Sequence, residues 1–451
     1  MYSANNIKFI KQLILIAFPI SLQVLLFSSR NLVDIMMLGQ LGDTEVAAIG
    51  VAGRVSYIAI LLFIGVATGG GILLAQYWGK KELNGLKQTF SLTLMCSLFI
   101  GALIAFSFYF FPHSIMGIST EANDVIERGA GYLKITSLAM LFSAIGVIYA
   151  AGLRSINQAG ISTFFSCIGV ALNIVLNYIL IFGHFGFAAM GIEGAAIATL
   201  ISCSVEISLL LLYIYIKNNI LALRPSDVFH SFQRSELFKL IKLSAPVTIN
   251  MLIYSAGLFF YSVIFGHINT QALASLTVMI PVESMATALL IGVATATSVV
   301  LGNEIGSGDT ERTYQHAWLA TMLSLFVGVI TAATMLLLSP YVFRLFSGLD
   351  EETLAISQSF YNLLALGVVI RSLPLSMIIG VLRSGGDNKF CLYQDVFAQW
   401  VIGIPLVTVL AFYTEVSLAI VYLAIFSEEI IKVVLSTWRI QSKVWIKSLI
   451  D

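Results

Sequence analysis

Asp34 is the residue of this sequence best suited to bind and release a cation. It lies in an apolar run, 10–38, that is long enough to cross a bilayer as a helix. A charge in such a span costs about 2.5–3.5 kcal/mol, so each one is a candidate functional group. A carboxylate there can hold a proton or a sodium ion, because its affinity responds to hydration and to nearby charges. Arg30 precedes Asp34 by one helical turn, so a structural salt bridge is the alternative interpretation.

Two asparagines one helical turn apart, Asn173 and Asn177, form a polar stripe in a later apolar run, 160–183. Amides inside a membrane need hydrogen-bond partners, so both should face the protein interior. Thr199, in the next apolar run, is placed to join them. We predict that these three residues and Asp34 form a cation-coupling site. Simple hydrogen bonding between helices explains each of the three polar residues equally well.

Among the other charges inside apolar runs are three to which the sequence assigns no role. They are Glu206, Glu283 and Arg371. Ion pairing, or extension toward the membrane surface, explains them as well as a place on a transport path does. No nucleophile, acid–base cluster or metal-ligand spacing accompanies them. The sequence therefore predicts neither an enzyme nor a protein with a metal or organic cofactor.

Membrane helices must position these residues. Hydrophobic residues make up 58% of the chain and charged residues 11%, a balance typical of integral membrane proteins. Twelve apolar stretches are long enough to span a bilayer as helices. They are 10–38, 47–76, 88–112, 129–151, 160–183, 191–216, 237–266, 273–301, 314–342, 355–382, 392–413 and 417–440. The expected fold is an all-α membrane protein with twelve transmembrane helices.

The basic residues predict the orientation. With the N-terminus inside, most lysines and arginines fall in cytoplasmic segments, whereas the outer loops hold only Arg128 and Arg344. Both termini should therefore be cytoplasmic. The apolar stretch after Lys11 has no cleavable-signal pattern. The formal net charge is zero, which gives no electrostatic reason to expect a nucleic-acid partner.

The first half of the sequence recurs in the second half. Residues 13–79, moved forward by 227 positions, lie on 240–306 without a gap. The matched residues include Pro19 with Pro246, Gly39 with Gly266, Gly79 with Gly306, and 65–68 with 292–295. Duplicated halves are common in secondary transporters, which bind substrate between them. We predict two pseudo-symmetric six-helix lobes, 1–220 and 237–451, joined by a cytoplasmic linker, 221–236.

The repeat gives four residues a predicted role. Pro19 and Pro246 each remove one backbone hydrogen bond near the inner ends of helices 1 and 7, so both predict bending during gating. Tyr261 is the counterpart of Asp34 in the second half, so the two lobes differ at this position. We expect Tyr261 and Arg30 to line a substrate cavity.

The chain resembles the MATE (multidrug and toxic compound extrusion) family over nearly its whole length. The similar motifs are Val33–Gly39 with Leu41–Gly42 and Ala47–Gly50 in the opening segment, Asn173–Gly183 with Gly191–Ala196 in helices 5 and 6, and Leu382–Asp387 after helix 10. The resemblance implies cation-coupled export of amphipathic, often cationic drugs through a V-shaped cavity with two lobes. It also implies a location in the cytoplasmic (inner) membrane of a bacterium.

Two departures from the family pattern bear on the coupling ion. Family members often carry an acid where this chain has Asn177, which leaves Asp34 as the sole acid expected in the N-lobe site. The NorM-like branch uses carboxylates in helices 7 and 10, whereas helix 7 has none here and helix 10 offers Arg371. The resemblance is therefore nearer to the DinF-like branch, which favours protons over sodium.

The expected function is a multidrug exporter in which an inward flow of protons, or of sodium ions, drives drugs outward by alternating access. The expected partners are small-molecule drugs and membrane lipids, and we expect a monomer. A lipid-linked oligosaccharide flippase of related architecture is the first alternative, although such proteins usually carry more basic residues in their cavity. A membrane-embedded enzyme is the second alternative, and it would need a catalytic cluster.

Overall fold

The computed structural model describes residues 2–224, 227, 233–344 and 350–450. Part of the predicted linker, 225–226 and 228–232, lies outside the described residues. The described ranges consist of helices joined by short turns and loops, and no β-strand occurs within them. The prediction of an all-α membrane protein is confirmed.

The helices follow the predicted spans. The first half of the chain forms α1 (Tyr2–Leu38), α2 (Asp43–Lys80), α3 (Leu83–Phe110), α4 (Pro112–Gly117), α5 (Asn123–Ser155), α6 (Ala159–Phe182) and α7 (Gly191–Ile216). The second half forms α8 (Arg234–Ile268), α9 (Thr270–Ser307), α10 (Thr310–Arg344), α11 (Glu351–Leu375), α12 (Asn388–Val396), α13 (Ile404–Tyr413), α14 (Leu418–Ala424) and α15 (Ser427–Gln441). Eleven helical segments of the described chain are long and apolar enough to cross a bilayer. The remaining predicted span, 417–440, forms α14 and α15, which Ile425 and Phe426 separate.

The chain divides into two compact units. The first, which we call the Asp34 unit, comprises Leu25–Leu74 and Glu82–Thr248. The second, which we call the Arg371 unit, comprises Met1–Val24, Ala75–Lys81 and Ile249–Asp451. The lobe boundaries drawn from the sequence repeat stay a prediction.

Glycines that recur in the repeat mark equivalent helix contacts. A Cβ atom at Gly65 would overlap the side chain of Thr248, within the Asp34 unit. A Cβ atom at Gly292, the repeat partner of Gly65, would overlap Ser21 within the Arg371 unit. Ser21 and Thr248 are themselves related by the 227-residue offset. Both halves of the chain therefore use a glycine at the same position for close helix packing.

The two repeated prolines do not end their helices. α1 continues through Pro19 and α8 continues through Pro246. Departures from α-helical geometry occur in another place, at the π-helical segments Ser376–Val381 and Phe397–Gly403, with a 3-10 turn at Leu382–Gly385 between them. π-Helical segments are often found at functional sites. The bending role of the prolines stays a prediction.

The C-terminal segment of the Arg371 unit is held in place by one glutamine of α2. Gln76 is fully buried, and its Nε2 donates to the carbonyl oxygens of Ser384 and Lys447, each at 3.1 Å. Its Oε1 accepts from the backbone N–H of Leu449 at 2.8 Å. Trp445, between these contacts, is also fully buried. One side chain thus joins the end of the chain to the turn after α11.

Replacing Gln76 with leucine should destabilise this region. The variant leaves buried backbone groups unpaired, at roughly 1–3 kcal/mol for each group. We expect a lower melting temperature in detergent and faster proteolysis of the C-terminal segment. Gln441→Leu, an exposed glutamine of the same region, is the matched control and should leave both quantities unchanged. Equal melting temperatures for the two variants would contradict the stabilising role of Gln76.

Candidate functional site

Asp34 contacts a predicted partner on another helix. It lies half-buried on α1, and Asn177 Nδ2, on α6, donates to its Oδ1 at 2.5 Å. The two residues are 143 positions apart in the sequence, so this contact depends on how the helices pack. Asn177 is fully buried, and its partner is therefore a carboxylate shielded from much of the solvent.

The other two predicted coupling residues extend the same network. Asn177 Nδ2 also donates to Asn173 Oδ1 at 3.3 Å, one turn earlier on α6. Asn173 Nδ2 donates to Thr199 Oγ1, on α7, at 3.4 Å. The close approach of α6 and α7 needs small residues at their contact, and a Cβ atom at Gly194 would overlap the backbone of α6 at Leu180. The structure thus brings together Asp34, Asn173, Asn177 and Thr199 on three helices, while their role in coupling stays a prediction.

One atom of this network points to a cation ligand. Asn177 Oδ1 is buried and has no hydrogen-bond partner. A buried carbonyl oxygen without a donor costs free energy, which a bound cation or a proton-bearing group would offset. Amide and carboxylate oxygens are the ligand types that hard cations prefer. No group of histidine, cysteine and carboxylate side chains in the described ranges is arranged to hold a metal ion. The identity of a cation that these oxygens would hold stays a prediction.

Arg30 belongs to the same unit and extends toward α7. Its Nη1 lies 3.9 Å from Cys203 Sγ, and its guanidinium is within electrostatic range of Asp34 and Tyr132. Arg30 therefore places a positive charge near the Asp34 carboxylate, while its guanidinium contacts Cys203 on α7. Its predicted role in a substrate cavity stays a prediction.

The Arg371 unit contains a second set of buried charges, and their ion pairs account for two of the residues left without a role. Arg371 pairs with Glu283 on α9, and its Nε donates to Glu429 Oε1 on α15 at 2.9 Å. Lys432 lies 3.3 Å from Glu428 Oε1 and 3.6 Å from Glu429 Oε2. These pairs connect α9, α11 and α15. The sequence signal for this arrangement was the presence of acidic and basic residues in three separate apolar runs. The spacing of residues within one run does not show which acid pairs with which base.

Tyr261 lies in this charged cluster. It is 2% exposed, and its hydroxyl donates to Glu428 Oε2 at 3.0 Å. The positions of Asp34 and Tyr261 in the repeat therefore carry different chemistry, a hydrogen-bond acceptor in one half and a donor in the other. A contact between Tyr261 and substrate stays a prediction.

Asp395 is a half-buried acid that the sequence reasoning missed. Its Oδ2 accepts from Asn250 Nδ2 at 2.7 Å, and its Oδ1 is buried without a hydrogen-bond partner. The signal was weak because Asp395 lies at the edge of the predicted span 392–413. Residues at a span edge normally extend toward the membrane surface, and only the packing of α8 against α12 shows a buried partner.

Comparison with known proteins identifies the family. A family model described as MatE matches residues 19–179 and 246–409, one stretch in each half of the chain. The chain belongs to the MATE family. Members of this family are transporters and not enzymes, and they are multi-pass proteins of the bacterial inner membrane. The family assignment made from the motifs is confirmed.

Relatives match over most of their length. The chain is 24% identical to "Uncharacterized transporter YisQ" of Bacillus subtilis over 440 residues, which cover 96% of this chain and 94% of the relative. It is 29% identical to "Probable multidrug resistance protein NorM" of Mannheimia succiniciproducens over 409 residues, covering 88% and 85%. The placement nearer to the DinF-like branch stays a prediction.

Solved structures show the same fold. One, described as an outward-facing conformation of a multidrug resistance MATE family transporter of the MOP superfamily, has a TM-score of 0.89, with 20% identity and 96% coverage of both chains. Another, described as a MATE in complex with MaL6, has a TM-score of 0.88, with 21% identity and 96% coverage of both chains. Identity at this level supports the helical MATE architecture and no assignment of substrate.

Proposed function

We propose that this MATE family protein is a secondary active exporter that exchanges amphipathic, cationic drugs for inward-moving protons, with sodium ions as the second candidate. The observation that carries the proposal is the buried network around Asp34. A half-buried carboxylate, a fully buried asparagine and an unpartnered carbonyl oxygen meet there. An acid in a membrane helix costs free energy, and binding of the coupling ion gives a functional reason for its presence.

A proton fits the network more simply than sodium does. Protonation of Asp34 needs one carboxylate oxygen, and the new O–H group can donate to Asn177 Oδ1 after rotation of the amide. A sodium ion must replace several water oxygens with protein oxygens. Asp34, Asn177 and Thr199 offer such oxygens, which keeps sodium as the alternative. Either cation neutralises Asp34 and changes how α1 is held against α6.

The transport cycle follows from a cation site that involves three helices. Cation binding from outside neutralises Asp34, α1 rearranges against α6 and α7, and drug leaves outward. Release of the cation inside restores the charge and admits a new drug molecule. Binding of either ligand then depends on the same two-state rearrangement, which is the thermodynamic condition for exchange. We also propose cytoplasmic termini, supported by the distribution of basic residues, and a monomer in contact with membrane lipids.

The test is transport by purified protein in proteoliposomes with one imposed gradient at a time. A fluorescent cationic drug reports export while either pH or sodium differs across the membrane. We expect a proton gradient to drive export, a proton ionophore to stop it, and an equal sodium gradient at uniform pH to have little effect. Sodium-driven export would support the exporter function and would show that sodium, and not the proton, is the coupling ion. Absence of flux under both gradients would contradict the exporter and favour the lipid-linked oligosaccharide flippase.

A further inference from the structure

We propose that Glu206 is a second, inner acid of the cation site and that Arg30 alternates between Asp34 and Glu206 as the coupling cation binds and leaves. This proposal rests on the exporter function and adds two positioning residues to it. It differs from the expectation drawn from the family pattern, in which Asp34 is the sole acid of the site.

Glu206 faces the protein and not the lipid. Ser166 Oγ, on α6, donates to Glu206 Oε1 at 2.7 Å. A Cβ atom at Gly169, one turn further along α6, would overlap the Glu206 carboxylate. Glycine at this position therefore leaves room for a charged group between α6 and α7. Ser166, Gly169, Asn173 and Asn177 share one face of α6 by their spacing, so Glu206 and Asp34 contact the same helix face about two to three turns apart.

Arg30 is one helical turn from Asp34 along α1, and its contact on α7 is one turn from Glu206. Its guanidinium contacts Cys203 at 3.9 Å, and Cys203 precedes Glu206 by one turn on α7. On its own helix Arg30 precedes Asp34 by one turn. At about 1.5 Å per residue, Asp34 lies about 6 Å from Arg30 along the axis of α1, and Glu206 lies about 4.5 Å from Cys203 along the axis of α7. Electrostatic interactions with both Asp34 and Glu206 fit this placement, and a long arginine side chain covers such a distance by rotamer changes.

The charges of this cluster do not balance without a ligand. Asp34 and Glu206 supply two negative charges and Arg30 supplies one positive charge. Tyr132 and Cys203 also face the cluster, and neither supplies a second positive charge. An excess charge away from water is unfavourable, so one bound cation completes the balance. Once Asp34 holds that cation, Glu206 is the remaining anionic partner for Arg30.

This arrangement gives α1 two alternative attachments. With Asp34 ionised, Arg30 is shared between an acid of its own helix and α7. With Asp34 neutralised, Arg30 pairs with Glu206 and fastens α1 to α7 at the level of Arg30. Neutralisation of Asp34 thereby changes which acid Arg30 pairs with, and so changes the contact between α1 and α7. Such a pair of alternative contacts is the two-state element that coupling needs.

The test compares the pH dependence of proton-driven export in Glu206→Gln and wild-type proteoliposomes. In the variant, Asp34 is the one acid left beside Arg30 in this cluster, and the guanidinium favours the ionised form of Asp34. We expect the pH of half-maximal export to move toward acid by about one unit, while gradient-independent drug exchange continues. Glu193→Gln, which changes an exposed acid of the same helix, is the matched control and should keep the wild-type profile. Glu206→Asp keeps the negative charge and should show the wild-type pH profile.

Arg30→Gln provides an independent arm, because loss of the positive charge beside Asp34 must move the profile toward alkaline pH. If Glu206→Gln does not accumulate, this variant decides the question. An unchanged profile in either variant, or an equal shift in Glu193→Gln, would overturn the proposal. Failure of the exporter function is distinguishable, since wild-type protein would then show no gradient-driven export. If sodium drives export, the same comparison uses the half-maximal sodium concentration, which should rise in Glu206→Gln.

Discussion

Asp34→Asn is expected to lower gradient-driven export roughly 100-fold, a loss that corresponds to the upper range of coupling free energies between ligand sites. Asparagine has nearly the shape of aspartate, but it neither takes up a proton nor balances the charge of a sodium ion. The hydrogen bond from Asn177 requires an acceptor oxygen, which the asparagine amide supplies, so the variant should fold. The measurement is the initial rate of drug export at equal amounts of reconstituted protein.

Two controls separate coupling from folding for this variant. Asp124→Asn changes an exposed aspartate at the start of α5 and should retain wild-type export. Drug exchange without a gradient should survive in Asp34→Asn, since it does not require net cation movement. Full export with an unchanged pH dependence would show that Asp34 is not the coupling acid.

Arg371→Gln is expected to destabilise the Arg371 unit by about 3–5 kcal/mol, the usual consequence of removing one partner from a buried ion-pair network. Arg371 is 7% exposed, pairs with Glu283 and Glu429, and lies over the Phe426 ring at 5.6 Å. Without it, Lys432 remains to offset the carboxylates of α15. We expect little folded protein in the membrane and a clearly lower melting temperature in detergent.

The matched control for this variant is Arg344→Gln, which removes an exposed arginine at the end of α10. It should keep the wild-type melting temperature. Combining Arg371→Gln with Glu283→Gln should recover part of the lost stability, because the second change removes an unpaired carboxylate. A wild-type melting temperature for Arg371→Gln alone would mean that this ion-pair network contributes nothing net to stability.

The sequence predicted the elements well because lipid imposes a local rule. A chain in hydrocarbon must satisfy its backbone hydrogen bonds within each segment, so long apolar runs become helices independently of their neighbours. The eleven long apolar helical segments of the described chain follow from this rule. The exception, span 417–440, is divided at Ile425 and Phe426, where no proline or glycine signals a break.

Pro19 and Pro246 show the limit of reading a helix from its residues. Each proline lacks one hydrogen-bond donor, yet α1 and α8 continue through them. The π-helical segments Ser376–Val381 and Phe397–Gly403 each lie two residues from a proline, Pro374 and Pro405 respectively. The same residue type therefore accompanies a continuous α-helix in one place and irregular backbone in another. Neighbouring helices can stabilise either geometry, so the positions of irregular backbone depend on tertiary contacts.

The candidate site divides in the same way. The cost of a polar group in lipid, together with helical spacing, was enough to select Asp34, Asn173 and Asn177 and to predict an inward-facing side for each. Their connection was not predictable, since the contact between Asn177 and Asp34 spans 143 residues. Spacing along one helix says nothing about which helix lies opposite.

What the sequence determined by itself is therefore the class of protein, its helical spans, its repeat and the polar residues that a bilayer makes expensive. These properties depend on composition and on periodicity within single segments. The tertiary structure decided the partners: Asn177 for Asp34, Cys203 for Arg30, and Glu283 with Glu429 for Arg371. The physical reason is that hydrogen bonds and ion pairs act over a few ångströms, and only helix packing brings residues from distant segments within that range.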